Sequence, residues 1–321
     1  MTTKTLGRLI VYPVFLITIS LVFKNQIVSA FQVHNGFDLS DSLINVQEIY
    51  HGGPAKDGIP AIDKPVFIAA DKASYLLPED RVLGLTIQGK AKAYPVKILN
   101  YHEIVNDFFA DEAVVITYCP LCGSGMAYSS RINGKNTTFG VSGLLYNSDV
   151  LLYDRETESL WSQLLSKAIS GSRKGADLDM LALTHTSWSD WLELFPDTLV
   201  LSSKTGFRRD YTRSPYGSYE QSKSLYFPVQ PLNHDYHPKE YVIGVNFDGK
   251  TKAYPFLELS KVQSPFKDKI GQHVVNVFFD GKNRKGKIMD KNGQEIPTVT
   301  SYWFAWMAFY PESKVFKANT N

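Results

Sequence analysis

A segment of fifteen residues occurs twice in the chain, the two occurrences lying 160 positions apart. RVLGLTIQGKAKAYP at 81–95 and YVIGVNFDGKTKAYP at 241–255 are identical at eight positions. Each segment predicts a strand, a glycine-centred turn and a second strand that ends at proline. Because a long-range repeat in sequence indicates a repeat in structure, the chain is constrained to fold as two related units.

Two further blocks extend this match. Val105–Phe109 corresponds to Val275–Phe279, and Trp188–Asp197 corresponds to Trp303–Glu312. In both tryptophan blocks two Trp residues stand three positions apart and an aromatic residue follows four positions later, which is typical of one face of a short amphipathic helix. We interpret these tryptophans as core residues rather than as a ligand platform.

The two copies differ in length between these blocks. Phe109 and Trp188 are 79 positions apart, whereas Phe279 and Trp303 are 24 apart, so copy two lacks 55 residues that copy one keeps. The extra block of copy one contains both cysteines of the chain. Scaffold is present in both copies, and we therefore expect the chemistry in the block that only one copy retains.

Few connections are long enough for the helical crossovers of a parallel sheet, so the predicted class is α+β, mostly antiparallel and β-rich, built from two unequal copies of the repeat. Strands are predicted at Val66–Ala70, Val82–Ile87, Ala91–Ile98, Val114–Tyr118, Met126–Ile132, Thr137–Val141, Val150–Tyr153, Leu199–Ser202, Val242–Phe247, Thr251–Phe256 and Val274–Phe279. Short helices are predicted at Leu43–Tyr50, Tyr101–Phe109, Trp188–Phe195 and Trp303–Tyr310.

The repeat also divides the chain into segments. Residues 1–30 form a signal peptide or N-terminal anchor, and 31–64 an N-terminal segment with a Gly/Pro-rich loop. Copy one, with the cysteine site, spans 65–202, and copy two spans 225–318. The polar stretch 203–224 between them is rich in Tyr, Arg and Ser and is predicted to be a connector.

The N-terminus has the pattern of an export signal. Lys4 and Arg8 precede the apolar run Leu9–Phe23, and Val28-Ser29-Ala30 provides a small-residue cleavage site. The run is shorter than the ~20 residues of a spanning helix, which favours a cleaved signal over an uncleaved anchor. We therefore expect an extracytoplasmic protein, periplasmic or secreted, with anchoring through the N-terminus as the alternative.

The charge balance argues against one class of partner. The net charge is +2, with no basic excess of the kind that nucleic-acid-binding proteins carry. The sequence predicts no nucleic-acid partner and leaves an extracytoplasmic redox or metal-delivery partner open.

The chain has two cysteines, Cys119 and Cys122, in the arrangement C-x-x-C. In an exported protein such a pair is a disulfide, a redox couple or a metal clamp. In thioredoxin-type pairs the first thiol opens a helix, but here a hairpin that turns at Asn133-Gly134 is predicted to follow, and Pro120 comes directly after the first cysteine. The form C-P-x-C-G instead favours a metal knuckle, in which a tight turn directs backbone N–H groups at thiolates.

Further ligands are needed to complete such a site, because zinc normally takes four. His102 and Met126 are the nearest candidates in sequence. Copper(I) accepts soft ligands at low coordination number, so two thiolates with Met or His would suffice, and we place copper before zinc. Gly rather than His follows the pair, which excludes covalent c-type haem, and no nucleotide cofactor is predicted.

Two alternatives from other classes stay open, and with them the question whether the protein is an enzyme. One is a thiol–disulfide oxidoreductase, in which Cys119 is the catalytic attacking thiolate and Cys122 resolves the mixed disulfide. The other is a non-catalytic module that binds a glycan or peptide through an aromatic-rich surface.

A second group of polar residues lies in the block that copy two lacks. Asn147, Ser148, Asp149 and Arg155 either line a polar site or are turn residues.

Several blocks together resemble one known family. They are ITYCPLCGSGMAY, FGVSGLLYNSDVLLYDRETESLWSQL, FPDTLVL, RDYTRSPYGSYE and YWFAWMAFYP. The chain resembles, over roughly residues 45–318, the prokaryotic family catalogued as domain of unknown function 3179. The resemblance implies an exported or membrane-anchored bacterial or archaeal protein with its YCPLCG motif at Cys119 and Cys122, and it supplies no activity.

Overall fold

Short β-strands make up most of the regular structure in the computed structural model, which describes residues 34–318. The strands are β1 (Ile49–His51), β2 (Phe67–Ala69), β3 (Arg81–Ile87), β4 (Lys90–Pro95), β5 (Ile104–Phe109), β6 (Glu112–Cys119), β7 (Ser124–Ser129), β8 (Arg131–Ile132), β9 (Lys135–Asn136), β10 (Phe139–Tyr146), β11 (Asp149–Asp154), β12 (Leu160–Ser162), β13 (Lys167–Ala168), β14 (Met180–Leu181), β15 (Thr184–Ser187), β16 (Leu199–Leu201), β17 (Tyr241–Phe247), β18 (Lys250–Pro255), β19 (Phe266–Ile270), β20 (His273–Asp280), β21 (Lys285–Met289), β22 (Glu295–Ile296), β23 (Val299–Tyr302) and β24 (Lys314–Val315). The α-helices are α1 (Val96–Leu99), α2 (Trp188–Leu194), α3 (Phe256–Leu259) and α4 (Trp303–Phe309), with 3₁₀ turns at Val46–Glu48, Ala70–Lys72 and Tyr219–Gln221. The predicted β-rich α+β class is confirmed.

These strands form four larger sheets and one small hairpin. Their orders are β15-β3-β4-β16-β2, β24-β18-β17-β23-β7-β6-β5 with β14 also on β7, β1-β10-β11-β12-β13, β19-β20-β21-β22, and β8-β9. Among the named strand pairs of residues 34–318, β4 with β16 and β18 with β24 are parallel and the others are antiparallel. The mostly antiparallel character is therefore also confirmed.

One four-stranded arrangement occurs in both of the first two sheets. Strands β15, β3, β4 and β16 follow one another as β23, β17, β18 and β24 do. The registers also agree, because Thr184 lies opposite Gly84 just as Val299 lies opposite Gly244. A tryptophan-bearing helix, α2 or α4, follows β15 and β23 respectively.

The tryptophans pack on a glycine of the neighbouring strand. A Cβ atom added at Gly84 would lie 2.2 Å from the Trp191 ring, and one at Gly244 would lie 2.0 Å from the Trp306 ring. The indole N–H groups donate at 2.9 Å to the hydroxyls of Thr198 and Ser313. Both indoles are buried, which confirms the predicted core role.

The predicted helix at Tyr101–Phe109 is wrong. This stretch contains β5, whose six residues all pair with β6 in antiparallel register. Its β-branched and aromatic side chains suit a buried strand, and the two-residue turn 110–111, in which Ala110 has a positive φ of 52°, pairs it with β6 as a hairpin.

Other boundaries also differ from the predictions. The predicted helix at Leu43–Tyr50 is replaced by a single 3₁₀ turn and then by β1, which pairs with β10. The predicted strand Ala91–Ile98 ends at Pro95, and Thr251–Phe256 ends at Pro255, because α1 and α3 begin at the next residue. Proline has no N–H with which to continue a ladder, but it is accepted directly before a helix.

The largest buried cluster includes both cysteines and lies where β6, β7, β10, β11 and α4 meet. Its location places the C-x-x-C block in the interior rather than at a sheet edge. No helix within residues 34–318 is both long and apolar enough to cross a membrane. The predicted export signal at 1–30 lies outside the described residues.

Candidate metal centre

The two cysteines lie at a tight turn between adjacent antiparallel strands. Strand β6 ends at Cys119, β7 begins at Ser124, and these two residues are paired in register. Within the turn the Cys122 N–H donates to the Cys119 carbonyl at 3.2 Å, and Gly123 has a φ of +59°, which favours glycine. The chain continues as a hairpin that turns between Ile132 and Lys135. The predicted tight turn and hairpin are therefore confirmed, and no helix begins at the cysteines. That the turn is a metal knuckle stays a prediction.

A second hairpin turn faces the knuckle. It joins β10 to β11, and Asn147 and Ser148 both have positive φ, at 48° and 65°, as a two-residue turn between antiparallel strands requires. The Ser148 carbonyl accepts from the Cys119 thiol at 3.5 Å and from the Cys122 thiol at 3.3 Å. The local turn conformation thus brings a segment about thirty residues further along the chain against both sulfur atoms.

The same turn brings a carboxylate to the thiols. Sγ of Cys119, Sγ of Cys122 and a carboxylate oxygen of Asp149 all lie within 4.8 Å of one another, and all three residues are buried. Asp149 Oδ2 accepts from the Leu164 N–H at 3.0 Å, whereas buried Oδ1 has no hydrogen-bond partner. Buried polar atoms in native proteins nearly always have a partner. The two thiols and this oxygen are therefore a group that could hold a metal ion.

Burial dominates the electrostatics of this cluster. It raises the pKa of both thiols, and it raises the pKa of Asp149 to about 7. Burial also raises the pKa of Glu103 to about 8. The backbone of Glu103 has a positive φ of 58°, and its carbonyl accepts from the Tyr118 N–H beside Cys119 at 2.7 Å. Because several buried acids meet here, their ionised forms need a cation nearby.

The connector and the first residues of copy two, up to Lys239, cover the cysteine knuckle and the Asp149 turn. The Ser148 hydroxyl donates to the Phe227 carbonyl at 3.1 Å, and Asn147 Oδ1 accepts from the Gln230 N–H at 2.9 Å. The buried hydroxyl of Tyr219 has no partner. The cluster is therefore closed from solvent by residues that link the two copies.

A buried lysine lies in the same cover. Lys239 Nζ stands 3.8 Å from the centre of the Tyr219 ring and donates to the carbonyls of Ser222 and Ser224. Burial lowers its pKa to about 8, and the nearby Cys122 acts in the opposite direction. The ammonium group of Lys239 thus lies near Cys122.

The structure places His102 outside the group of thiols and carboxylate. Its Nδ1 is 2.7 Å from the Pro60 carbonyl and its Nε2 is 2.6 Å from the Tyr211 hydroxyl, so both ring nitrogens are engaged. The pKa of this buried imidazole is lowered by desolvation. The geometry favours a role for His102 in holding the connector rather than in binding a metal at the cysteines.

Met126 lies closer to the cysteines than His102 does in the fold. It is opposite Thr117 in the β6–β7 ladder, two pairs from Cys119, and on the same face of the sheet. Its Sδ accepts from the Tyr128 hydroxyl at 3.1 Å, and it belongs to the buried cluster that contains both cysteines. Its role as a ligand stays a prediction.

The remaining polar candidates separate into two groups. Asn147 and Ser148 are turn residues, and Asp149 joins the thiols. Arg155 lies elsewhere and donates to Asp63 at 2.6 Å. Sequence reasoning did not name Asp149 as a ligand, although its position in the block that copy two lacks was a usable signal.

The match to known sequences covers this whole site. A family model described as "Protein of unknown function (DUF3179)" matches residues 56–285, well over half of the chain. The chain belongs to this family. Searches of the curated proteins and of the solved structures find no significant match. The DUF3179 match includes Cys119, Cys122 and Asp149, so the candidate centre lies within the part of the chain that defines the membership.

Proposed function

We propose that this DUF3179 protein binds one metal ion through Cys119, Cys122 and Asp149. The observation that carries the proposal is the buried, unpartnered Oδ1 of Asp149 beside two buried thiols. A metal ion supplies the missing partner of this oxygen and converts the two thiols to thiolates. It also offsets the cost of ionising three buried acids at one place.

The carboxylate favours zinc over copper(I) at this site. Two thiolates and one carboxylate carry three negative charges, so Zn²⁺ leaves a net charge of minus one and Cu⁺ leaves minus two. A larger uncompensated charge costs more in a buried site. Zinc also accepts sulfur and carboxylate oxygen together, whereas copper(I) selects soft ligands. We therefore propose zinc before copper, the reverse of the order drawn from two thiolates with Met or His.

Thiol–disulfide exchange is the less favoured alternative. An attacking cysteine needs a lowered pKa and access to a partner, whereas burial raises the pKa of both thiols here and leaves Cys119 2% and Cys122 0% exposed.

The test is the metal content of the full chain, purified from its export compartment without chelator. We expect about one zinc ion per chain in the wild type. Cys119→Ser and Asp149→Asn should each lose it. Asp111→Asn alters an exposed carboxylate in the β5–β6 turn and should retain the metal.

Three results would contradict the proposal. The first is a wild-type protein that stays metal-free even when it is titrated with zinc. The second is a Cys119–Cys122 disulfide in all purified molecules, measured by thiol alkylation before and after reduction. The third is stoichiometric copper in place of zinc, which would refute only the choice of zinc as the metal.

We also propose that the protein works outside the cytoplasm and receives its metal from an extracytoplasmic delivery partner. The export pattern at residues 1–30 supports this location. N-terminal sequencing of the protein recovered from its compartment distinguishes a cleaved signal from an anchor. An intact N-terminus on a cytoplasmic protein would refute it.

We further propose that the fold arose from two unequal copies of one unit. The supporting observations are the matching strand order and register of the two sheets and the equivalent Trp–Gly contacts. The block with the cysteines is then an insertion in copy one, and β7 of that block pairs with β23 of copy two. A function carried by the insertion would therefore depend on both copies.

A further inference from the structure

A cavity of about 260 Å³ lies between the two copies, on the outer side of the cysteine knuckle. Pro120 and Gly123 of the knuckle form part of its wall. Arg81 of β3 and Tyr241 of β17 also line it, and these two residues occupy equivalent positions in the repeated segments. Cavities between units with few convergent polar groups are common binding sites.

Arg81 is the charged group that is not neutralised in this wall. Its guanidinium donates to the backbone carbonyls of Asn283 and Arg284. Within residues 34–318, no carboxylate oxygen lies within 4.0 Å of the guanidinium nitrogens of Arg81, the limit for an ion pair. A guanidinium has five N–H donors, so donors as well as charge are left for a ligand. The two carbonyls also fix the orientation of the side chain.

The other ionisable groups of the wall do not supply a compensating charge. Lys97 pairs with Asp80 at 2.5 Å, and Glu220 pairs with Arg284 at 3.0 Å. His185 bonds through Nε2 to the Gly125 carbonyl at 3.0 Å. Burial lowers the pKa of His185 to about 4, so it is neutral near pH 7. The wall therefore presents one positive charge beside one neutralised carboxylate.

Tyrosine rings form much of the remaining wall. Tyr241 and Tyr302 lie with their ring centres 4.9 Å apart, and Tyr118, Tyr216 and Tyr219 also line the cavity. Aromatic faces pack well against a flat ligand, and phenolic hydroxyls can donate to an oxyanion. The wall is thus largely aromatic, with Arg81 as its source of charged donors.

We propose that this cavity binds a small, flat organic carboxylate, with its carboxylate on Arg81 and its body between the tyrosine rings. Planar guanidinium and carboxylate groups match in a bidentate pair. Arg81 is the one charge of the wall without an ion-pair partner among residues 34–318, which suits a ligand with one negative charge better than phosphate with two. This site is separate from the proposed metal ligands and does not require the metal.

The test uses benzoate as the probe and benzamide as its uncharged counterpart, with binding measured by calorimetry on the full chain. We expect one benzoate site. Benzamide should bind about tenfold more weakly or worse, because a hydrogen bond to a charged group contributes ~1.5–3 kcal/mol. Arg81→Gln should reduce benzoate affinity by about the same factor. Arg131→Gln alters an exposed arginine outside the cavity and should leave it unchanged.

A second variant guards against simple misfolding of Arg81→Gln. Glu220→Gln removes the carboxylate of the wall and should strengthen benzoate binding, a gain that a damaged fold would not produce. Cys119→Ser should keep benzoate binding, which separates this site from the metal centre. Equal affinity for benzoate and benzamide, unchanged affinity in Arg81→Gln, or no benzoate binding to the wild type would each overturn the proposal.

Discussion

Acid should destabilise the protein in part through the buried imidazole of His185. His185 of β15 is 7% exposed, and its Nε2 donates to the Gly125 carbonyl of β7. This hydrogen bond joins the sheet of β15 to the sheet that carries the cysteines. Burial lowers its pKa to about 4, against 6.5 for an exposed imidazole. Between these two values the unfolded chain binds a proton that the folded protein excludes. The stabilising contribution is therefore complete above pH 6.5 and is lost as the pH falls towards 4.

The size of the effect follows from the two pKa values. Each pKa unit corresponds to ~1.4 kcal/mol, so lowering the pH from 7.5 to 4.5 should cost about 2–3 kcal/mol of unfolding free energy from His185 alone. Other groups, carboxylates among them, also titrate in this pH range. The informative quantity is therefore the difference in pH dependence between the wild type and a variant without the imidazole.

The assay is urea unfolding at pH 7.5 and pH 4.5. Threonine is the substitution of choice, because Thr300 occupies the equivalent position opposite β17 in copy two. His185→Thr should lose stability at pH 7.5, where it lacks the bond to Gly125, but its stability should fall by about 2–3 kcal/mol less on acidification. Equal pH dependence of His185→Thr and the wild type would refute the assignment.

Three further perturbations test the packing and the centre. Gly84→Ala should reduce the unfolding free energy by about 3 kcal/mol or more, because the added methyl group overlaps the buried and hydrogen-bonded Trp191 ring. Chemical denaturation measures this loss. A loss below ~1 kcal/mol would contradict the close approach of Trp191 to Gly84. Chelation should lower the Tm of the wild type but not of Asp149→Asn, as seen by calorimetry, and an equal decrease in both would place the metal elsewhere. Lys239→Met should weaken zinc binding in a competition titration, since its buried ammonium lies near Cys122; unchanged affinity would remove Lys239 from the charge balance of the site.

Local patterns in the sequence predicted the parts of the fold that local geometry decides. The tryptophan-bearing helices begin at Trp188 and Trp303 as expected, because the spacing of their apolar residues is a property of each segment alone. The knuckle at Cys119 was also predictable, since Pro and Gly specify a tight turn. The strand at Ile104–Phe109 was missed because the turn that joins it to β6 is Ala110-Asp111, which lacks the glycine that marks a two-residue hairpin in a sequence.

Contacts between segments that are distant in the sequence explain what was missed at the centre. Asp149 reaches the thiols because two hairpins, β6–β7 and β10–β11, pack face to face, and no spacing in the sequence encodes that contact. His102 was named because it is near Cys119 in sequence, yet the turn before β5 directs it to Pro60 and Tyr211. Proximity in sequence is a weak guide to ligands in a mostly antiparallel β fold.

The candidate centre depends on both copies, although its three proposed ligands come from one. The Cys122 carbonyl accepts from the Tyr302 N–H at 2.8 Å, where β23 passes into α4 of copy two. Tyr219 of the connector and Lys239 of copy two lie together on the cysteine side of the cluster. A metal that fixes the knuckle would therefore also fix its contact with copy two. This coupling gives a physical reason for the cysteine block to be held against β23, where the proposed carboxylate cavity lies beside the same turn.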